Sequence, residues 1–183
     1  AEYTDVTARL NWTADEHQLD VNYRYFDGES TTYPEQSGGP EFALSDDLDS
    51  SDYRNQQAAV NWQWQVSEQW KSRVSATWFN REDDYQSPGI IPFYAVPPNG
   101  AKTDFTRTSL SWVNTIGDQQ SLWANLGLES KKEKGFSDGY LNIGFPLPSV
   151  FDLDRKIDSA FVNVNGIVAK DLLLQASVRH DDA

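Results

Sequence analysis

The fold class this sequence predicts is all-β, an antiparallel meander of about eight strands, and three observations predict it. Apolar and polar residues alternate with a period of two in eight separate stretches, so each has one apolar and one polar face. β-Branched and aromatic residues dominate those stretches, and no window sustains the i, i+3, i+4, i+7 spacing of an amphipathic helix. The links between stretches alternate between short and long. In a meander that places every short turn at one rim of the sheet and every long link at the other.

The clearest element is the hairpin over 53–81. Ala58, Val60, Trp62 and Trp64 alternate there with Gln57, Ala59, Asn61 and Gln63. After a turn at 65–69, Trp70, Val74, Ala76 and Trp78 face away from Lys71, Arg73, Ser75 and Thr77. Upstream, a strand over 5–12 lines up Val6, Ala8, Leu10 and Trp12. The next, over 18–26, sets Leu19, Val21, Tyr23 and Tyr25 against Asp20, Asn22 and Arg24. Downstream, 105–114 sets Leu110 and Trp112 against Arg107, and 122–129 lines up Leu122, Ala124, Leu126 and Leu128. The last pair covers 158–165 and 172–179, with Ala160, Val162, Val164, Leu172, Leu174, Ala176 and Val178 on one face. The connections 27–52, 82–104 and 130–156, rich in Gly, Ser, Pro and acid, are expected to be long loops. Structureless loops of that length are uncommon and usually functional.

The chain has 183 residues and a formal net charge of -13. That balance offers no basic stripe for phosphate neutralisation, so no nucleic-acid partner is expected. Cysteine is absent, which fits many compartments. No apolar run approaches the ~18 residues of a membrane-spanning helix. Strands of a membrane barrel need only ~9–11 residues each, and half of those can be polar. Both ends of the sequence fall beside strand patterns, so 1–183 is expected to be one partial barrel domain of a larger protein.

A period of two does not say which face is inside. A soluble eight-stranded barrel would turn the apolar face inward. Two features favour the opposite. Trp12, Trp62, Trp64, Trp70 and Trp112 lie on the apolar face beside the short turns, and Tyr23, Tyr25 and Trp78 lie on it near the long links. Aromatic rings at both ends of an apolar band suit two lipid–water interfaces. Between them the band is small or aliphatic and uncharged, as a bilayer midplane requires, where Arg or Lys costs ~2–4 kcal/mol. The sequence therefore predicts a transmembrane β-barrel segment with short periplasmic turns and long extracellular loops. The alternatives are a soluble or surface-exposed β-barrel ligand-binding module and a passive porin.

The terminal hairpin runs from Ala160-Phe161-Val162-Asn163-Val164 to Val178-Arg179-His180-Asp181-Asp182. It resembles a recurrent strand pair of the TonB-dependent outer-membrane receptors, which ends in Arg-aromatic-Asp. His180 stands where the aromatic is usual. The order of strands and links is also similar to the early-to-middle barrel of the vitamin B12 receptors within that family. The resemblance implies an outer-membrane location in a Gram-negative bacterium and active uptake of a scarce nutrient such as a ferric siderophore or vitamin B12. The implied partners are the lipid bilayer, lipopolysaccharide, a plug domain, TonB and the small nutrient ligand.

Four groups of residues are candidates for function. Asp46, Asp47, Asp49 and Asp52 close an acidic link without Lys or Arg, and Ca²⁺ takes six to eight oxygens. The resemblance implies calcium there too, while a solvated acidic loop explains the same residues. Tyr85, Phe93 and Tyr94 sit among prolines in the second link and suit a flat or apolar ligand. Lys131, Lys132 and Lys134 suit an anionic ligand or lipopolysaccharide, while a solvated strand extension explains the same residues. Arg24, Arg73, Arg107 and Arg179 are expected to face the lumen, pairing with acids of a plug or with Asp20 and Glu129. Only His17 and His180 are histidines, expected at opposite rims, which leaves no His-based metal cluster and no Ser-His-acid triad. No enzyme activity is expected.

Overall fold

The computed structural model of the protein describes residues 1–33, 47–90, 96–169 and 172–183. Eight strands make one sheet: β1 (Glu2–Ala14), β2 (His17–Thr32), β3 (Asp49–Ser67), β4 (Trp70–Ser87), β5 (Asn99–Asp118), β6 (Leu122–Asn142), β7 (Pro146–Ala169) and β8 (Leu172–Asp182). Their order in the sheet is their order in the chain, and every neighbouring pair is antiparallel. The sheet is open, since β1 and β8 do not pair with each other. The four odd-to-even links are short and share one rim.

The expected long loops are a correction. Most of 130–156 and about half of 82–104 belong to strands that run on past the alternating stretches, as do 27–32 and 49–52 of the first link, whose residues 34–46 lie outside the described residues. In the third, the ladder continues from Ser130↔Asp158 to Asn142↔Pro146 and leaves only 143–145 as the turn, with Gly144 at φ 102°. The extension over 130–142 is largely polar on both faces, whereas 146–157 carries Leu147, Phe151, Leu153 and Ile157 on one face among prolines and charges that read as a loop. Pro146 and Pro148 fit there because β8 ends opposite Asp158, making the upper part of β7 an edge.

Register confirms the two faces. Leu10, Val21, Val60, Ala76 and Leu110 form one cross-strand rung of the apolar face. Towards β8 that rung turns polar, at Ser130, Asp158 and Asp182. The apolar positions there lie nearer the short turns, in the rung Ile116, Ala124, Val164 and Ala176. Leu10 and Leu174 are each third from the long-link end of their apolar runs, yet the rung of Leu10 ends eight residues beyond Leu174, at Asp182. At ~3.3 Å per residue and ~4.8 Å per strand, that slip over seven strand steps is a slope of about 40°. A straight apolar belt therefore crosses strands tilted by the ~35–45° usual in barrels.

Two polar residues interrupt the apolar runs, and both are occupied by tryptophan. The Trp70 indole N–H donates to Asn114 Oδ1 at 3.0 Å, and the Trp112 N–H donates to Ser72 Oγ at 2.9 Å. His17, the first residue of β2, stacks against Trp62 and Trp64 with ring centroids 5.8 and 5.7 Å away.

The sheet is a single layer. Among the described residues no apolar side chain is buried, and Val6, Leu10, Trp62, Leu110, Trp112, Leu128 and Val178 are all exposed. Globular domains avoid this by packing a second layer over the apolar face.

On the polar face, aromatic rings lie over glycines of the neighbouring strand. Tyr53 covers Gly28, where a Cβ would come 2.9 Å from the ring, and Phe161 covers Gly127 even more closely. Gly127→Ala is expected to lower the stability of the refolded sheet by ~1–3 kcal/mol through overpacking. In Phe161→Ala the same change should cost much less, a coupling that urea titration of the double-mutant cycle measures.

Candidate functional site

The polar face is the side of the sheet that carries organised charge. Its rungs follow from the register. One reads Thr7, Arg24, Gln57, Phe79, Arg107, Glu133 and Arg155, and the next towards the long links reads Asp5, Phe26, Asn55, Arg81, Phe105, Gly135 and Leu153. Arginine and phenylalanine thus exchange places between the two rungs at β2, β4 and β5.

The four arginines expected on the polar face are all there, and each is engaged. Arg24 makes a two-point pair with Asp5, Nε to Oδ1 at 3.0 Å and Nη2 to Oδ2 at 2.7 Å. Arg73 donates to Gln63 Oε1 at 2.9 Å. Arg107 donates from Nε to Glu133 Oε1 at 2.7 Å. Arg179 bridges Glu129 Oε2 (2.9 Å), Asp181 Oδ1 (2.7 Å) and Ser159 Oγ (2.8 Å). Pairing with Glu129 therefore holds for Arg179, while Asp20 takes no arginine among the described residues. The acids that hold Arg24 and Arg107 come from adjacent strands, a choice set by register.

Glu133 is the centre of the tightest cluster. Its side chain is 4% exposed, with Arg107 on one side and Arg155 on the other. Arg155 Nε donates to Oε2 at 3.0 Å, and its Nη2 makes a second, shorter bond to the same oxygen. Both guanidiniums remain about half exposed, so the triad presents one net positive charge from a fixed carboxylate. In sequence, Glu133 lies among lysines and carries no sign of this role. Only its cross-strand partners Arg107 and Arg155 reveal it.

Aromatic contacts run beside these charges. Phe26 lies 6.0 Å from Tyr3 and 5.5 Å from Tyr53, and Phe79 lies 6.3 Å from Phe105. The Arg107 guanidinium sits 5.4 Å from the Phe105 ring centroid.

The loop candidates divide differently. Tyr85 is on the polar face of β4, paired with Ser51 and Ala101. Phe93 and Tyr94 lie outside the described residues, as does Asp46. Asp49 pairs with Thr32 and Asp52 with Glu29, which puts them on opposite faces of β3, so they do not converge on one ion. Asp47 precedes β3 and is exposed. Among the described residues, no group of three His, Cys, Asp or Glu is placed to hold a metal. Lys132 and Lys134 lie on the apolar-face side of β6 and Lys131 on the polar side, so the lysine run is split by the pleat.

Fold and faces together define the class as a single-layer β-meander of the barrel type. No family model matches the sequence. No curated protein matches it either. Solved structures do match. BauA, the ferric preacinetobactin receptor from Acinetobacter baumannii, superposes with a TM-score of 0.67 at 12% identity, over 98% of this chain and 33% of BauA. The copper transporter OprC gives 0.68 at 12% identity, over 98% of this chain and 27% of OprC. The RagAB peptide transporter gives 0.52 at 13% identity, over 98% and 28%. Such identities establish a shared fold. The chain spans a third or less of each of these proteins, which are named as a receptor and transporters.

Glu133→Gln is expected to destabilise the folded sheet by ~1–3 kcal/mol, because both guanidiniums lose their counter-charge and one of them faces an amide NH2 in place of an acceptor oxygen. Arg107→Gln alone should cost less, since Arg155 still holds the carboxylate. Urea unfolding of the detergent-refolded chain distinguishes the two.

Proposed function

We propose that this chain is a wall segment of an outer-membrane β-barrel receptor of the TonB-dependent type, which takes up a scarce nutrient in a Gram-negative bacterium. The observation that carries this reading is the uncovered apolar belt, straight across strands tilted by about 40° and bordered by tryptophans whose N–H groups are satisfied. A soluble barrel would bury that belt. Here it meets lipid, and the polar extensions of β2 to β7 rise into the lipopolysaccharide zone and beyond.

In this reading the polar face lines the lumen. A plug domain lies against it, and TonB energises uptake through that plug. The fixed charges on the wall suit such a partner, because preorganised arginine–acid pairs present donors without further ordering. The names of the similar structures, a ferric siderophore receptor and a copper transporter, support a small nutrient as cargo. Vitamin B12 remains within the same cargo class.

Arginine substitution on the two faces tests the assignment. Val60→Arg, at the middle of the belt, should weaken folding into bilayers by ~2–4 kcal/mol. Asn61→Arg, one residue on and facing Asp20 and Ser75 across the polar face, should be tolerated. A larger penalty at Asn61 than at Val60 would reverse the two faces and overturn the reading.

A further inference from the structure

Another uncovered apolar surface lies far from the belt, at the end of the hairpin formed by β6 and β7. Phe136, Tyr140, Pro148 and Val150 stand on the same side of the sheet as the belt, and Ile143 and Phe145 cap them at the turn. Phe136 is 48% exposed and Val150 62%. On β6 the belt ends at Leu128. Each further residue climbs about 2.5 Å, the ~3.3 Å strand rise projected at a tilt of about 40°, so the patch lies about 20 to 40 Å above the belt. A head-group layer is only about 5–8 Å deep. Lipid that covers the belt does not reach this patch.

The patch is held in place. The Tyr140 hydroxyl donates to Gln86 Oε1 at 2.9 Å, and its ring lies over Gly100, where a Cβ would come 2.9 Å from it. At the turn, the Asn142 N–H donates to the Pro98 carbonyl at 2.8 Å, and Asn142 Oδ1 accepts from the Gly144 N–H at 3.2 Å. The surroundings are acidic. Asp104 and Asp152 flank Phe136 within its rung, and Asp138 follows it along β6 on the same side. Lys102, opposite Asp138, is engaged with Asp84 at 3.6 Å, and Lys134 with Asp154 at 3.6 Å, which leaves those three carboxylates without an ion pair among the described residues. No Lys or Arg occurs between Gly135 and Asp154.

Charge and size decide the occupant. A second copy of the chain would bring the same acids against these, and like charges in apposition are costly. The patch is about 10 Å across its two strands and about 23 Å from Phe136 to the turn. One helix of four turns is about 10 Å wide and ~22 Å long. A stable globular interface, at ~800 Å² per partner, needs several times that footprint. We infer that this side of the hairpin docks a single basic amphipathic helix of a partner polypeptide. Its apolar stripe lies on Phe136, Tyr140 and Val150, and its flanking Lys or Arg side chains meet Asp104, Asp138 and Asp152. This inference rests on the belt meeting lipid, which fixes the height of the patch, and it adds a partner outside the membrane.

The test uses the full chain folded in zwitterionic lipid nanodiscs and two dye-labelled peptides of about 16 residues, roughly four helical turns, that share a leucine stripe and carry either arginine or glutamate beside it. Fluorescence anisotropy is read in excess of empty nanodiscs. The arginine peptide should bind at least about tenfold more tightly than the glutamate peptide, and added salt should narrow the difference. Asp138→Asn combined with Asp152→Asn should narrow it too. Val150→Thr, which keeps the β-branch, and Phe136→Thr should each weaken both peptides severalfold. Phe151→Thr, on the opposite face of the same strand, should leave both unchanged. Equal binding of the two peptides, no binding beyond empty nanodiscs, or a larger loss from Phe151→Thr than from Val150→Thr would overturn the docking site. Pairing of two nanodisc-borne chains through the same patch would overturn it as well. If the penalty at Val60 still exceeds that at Asn61 in the same nanodiscs, only the docking site falls and the barrel reading stands.

Discussion

Everything in this molecule depends on one constraint: a single sheet layer whose apolar face has none of the described residues packed over it. With 38% hydrophobic residues, the chain has ample material for a core, yet none of its described apolar side chains is buried. Stability must then come from the ladder, from cross-strand pairs and from whatever medium meets the apolar face. In the proposed reading that medium is hydrocarbon, where every backbone polar group has to be satisfied within the sheet. The edges at β1 and β8 each present a row of backbone groups unpaired within the sheet.

The belt's slope supplies a geometric argument that composition cannot. A barrel of either kind tilts its strands, whereas apolar residues of a flat sheet with untilted strands would follow the hydrogen-bonded rungs. Here they cut obliquely across them, leaving the rung of Leu10 to end in Ser130, Asp158 and Asp182 while Ile116, Ala124, Val164 and Ala176 carry the belt onward. A plane of constant depth through tilted strands does just this. The opposite face obeys a different rule. Its arginines pair with acids along or beside the rungs, as Arg24 does with Asp5 and Arg107 with Glu133, so its pattern follows the ladder and not a depth.

Much of this was legible in the sequence, and the failures have physical causes. Eight strands, their order, the two faces and the placing of the four arginines on the polar face all follow from a period of two, because that period marks every segment with one wet and one apolar side. Polar residues on both faces hid most of the extension over 130–142, of which only the lysine run read as a strand, and in 146–157 prolines and charges masked the alternation of Leu147, Phe151, Leu153 and Ile157. Ser72 and Asn114 looked like breaks in the pattern until their bonds to Trp112 and Trp70 were seen. The Glu133 triad and the acids around Phe136 depend on which residues sit opposite one another, and register across separate hairpins is not written in either strand alone. The aspartates of 46–52 read as one cluster in sequence, but the pleat sends Asp49 and Asp52 to opposite faces.

The most direct measurement compares two tryptophans that differ only in the face they occupy. Trp112 is on the apolar face, paired with Val74 and Leu128, whereas Trp123 is on the polar face, paired with Gly117 and Asn165. Single-tryptophan variants retaining one or the other would be folded into vesicles containing lipids brominated along the acyl chains. A lipid-facing belt predicts strong fluorescence quenching of Trp112 and little of Trp123. Equal quenching, or stronger quenching of Trp123, would contradict the account.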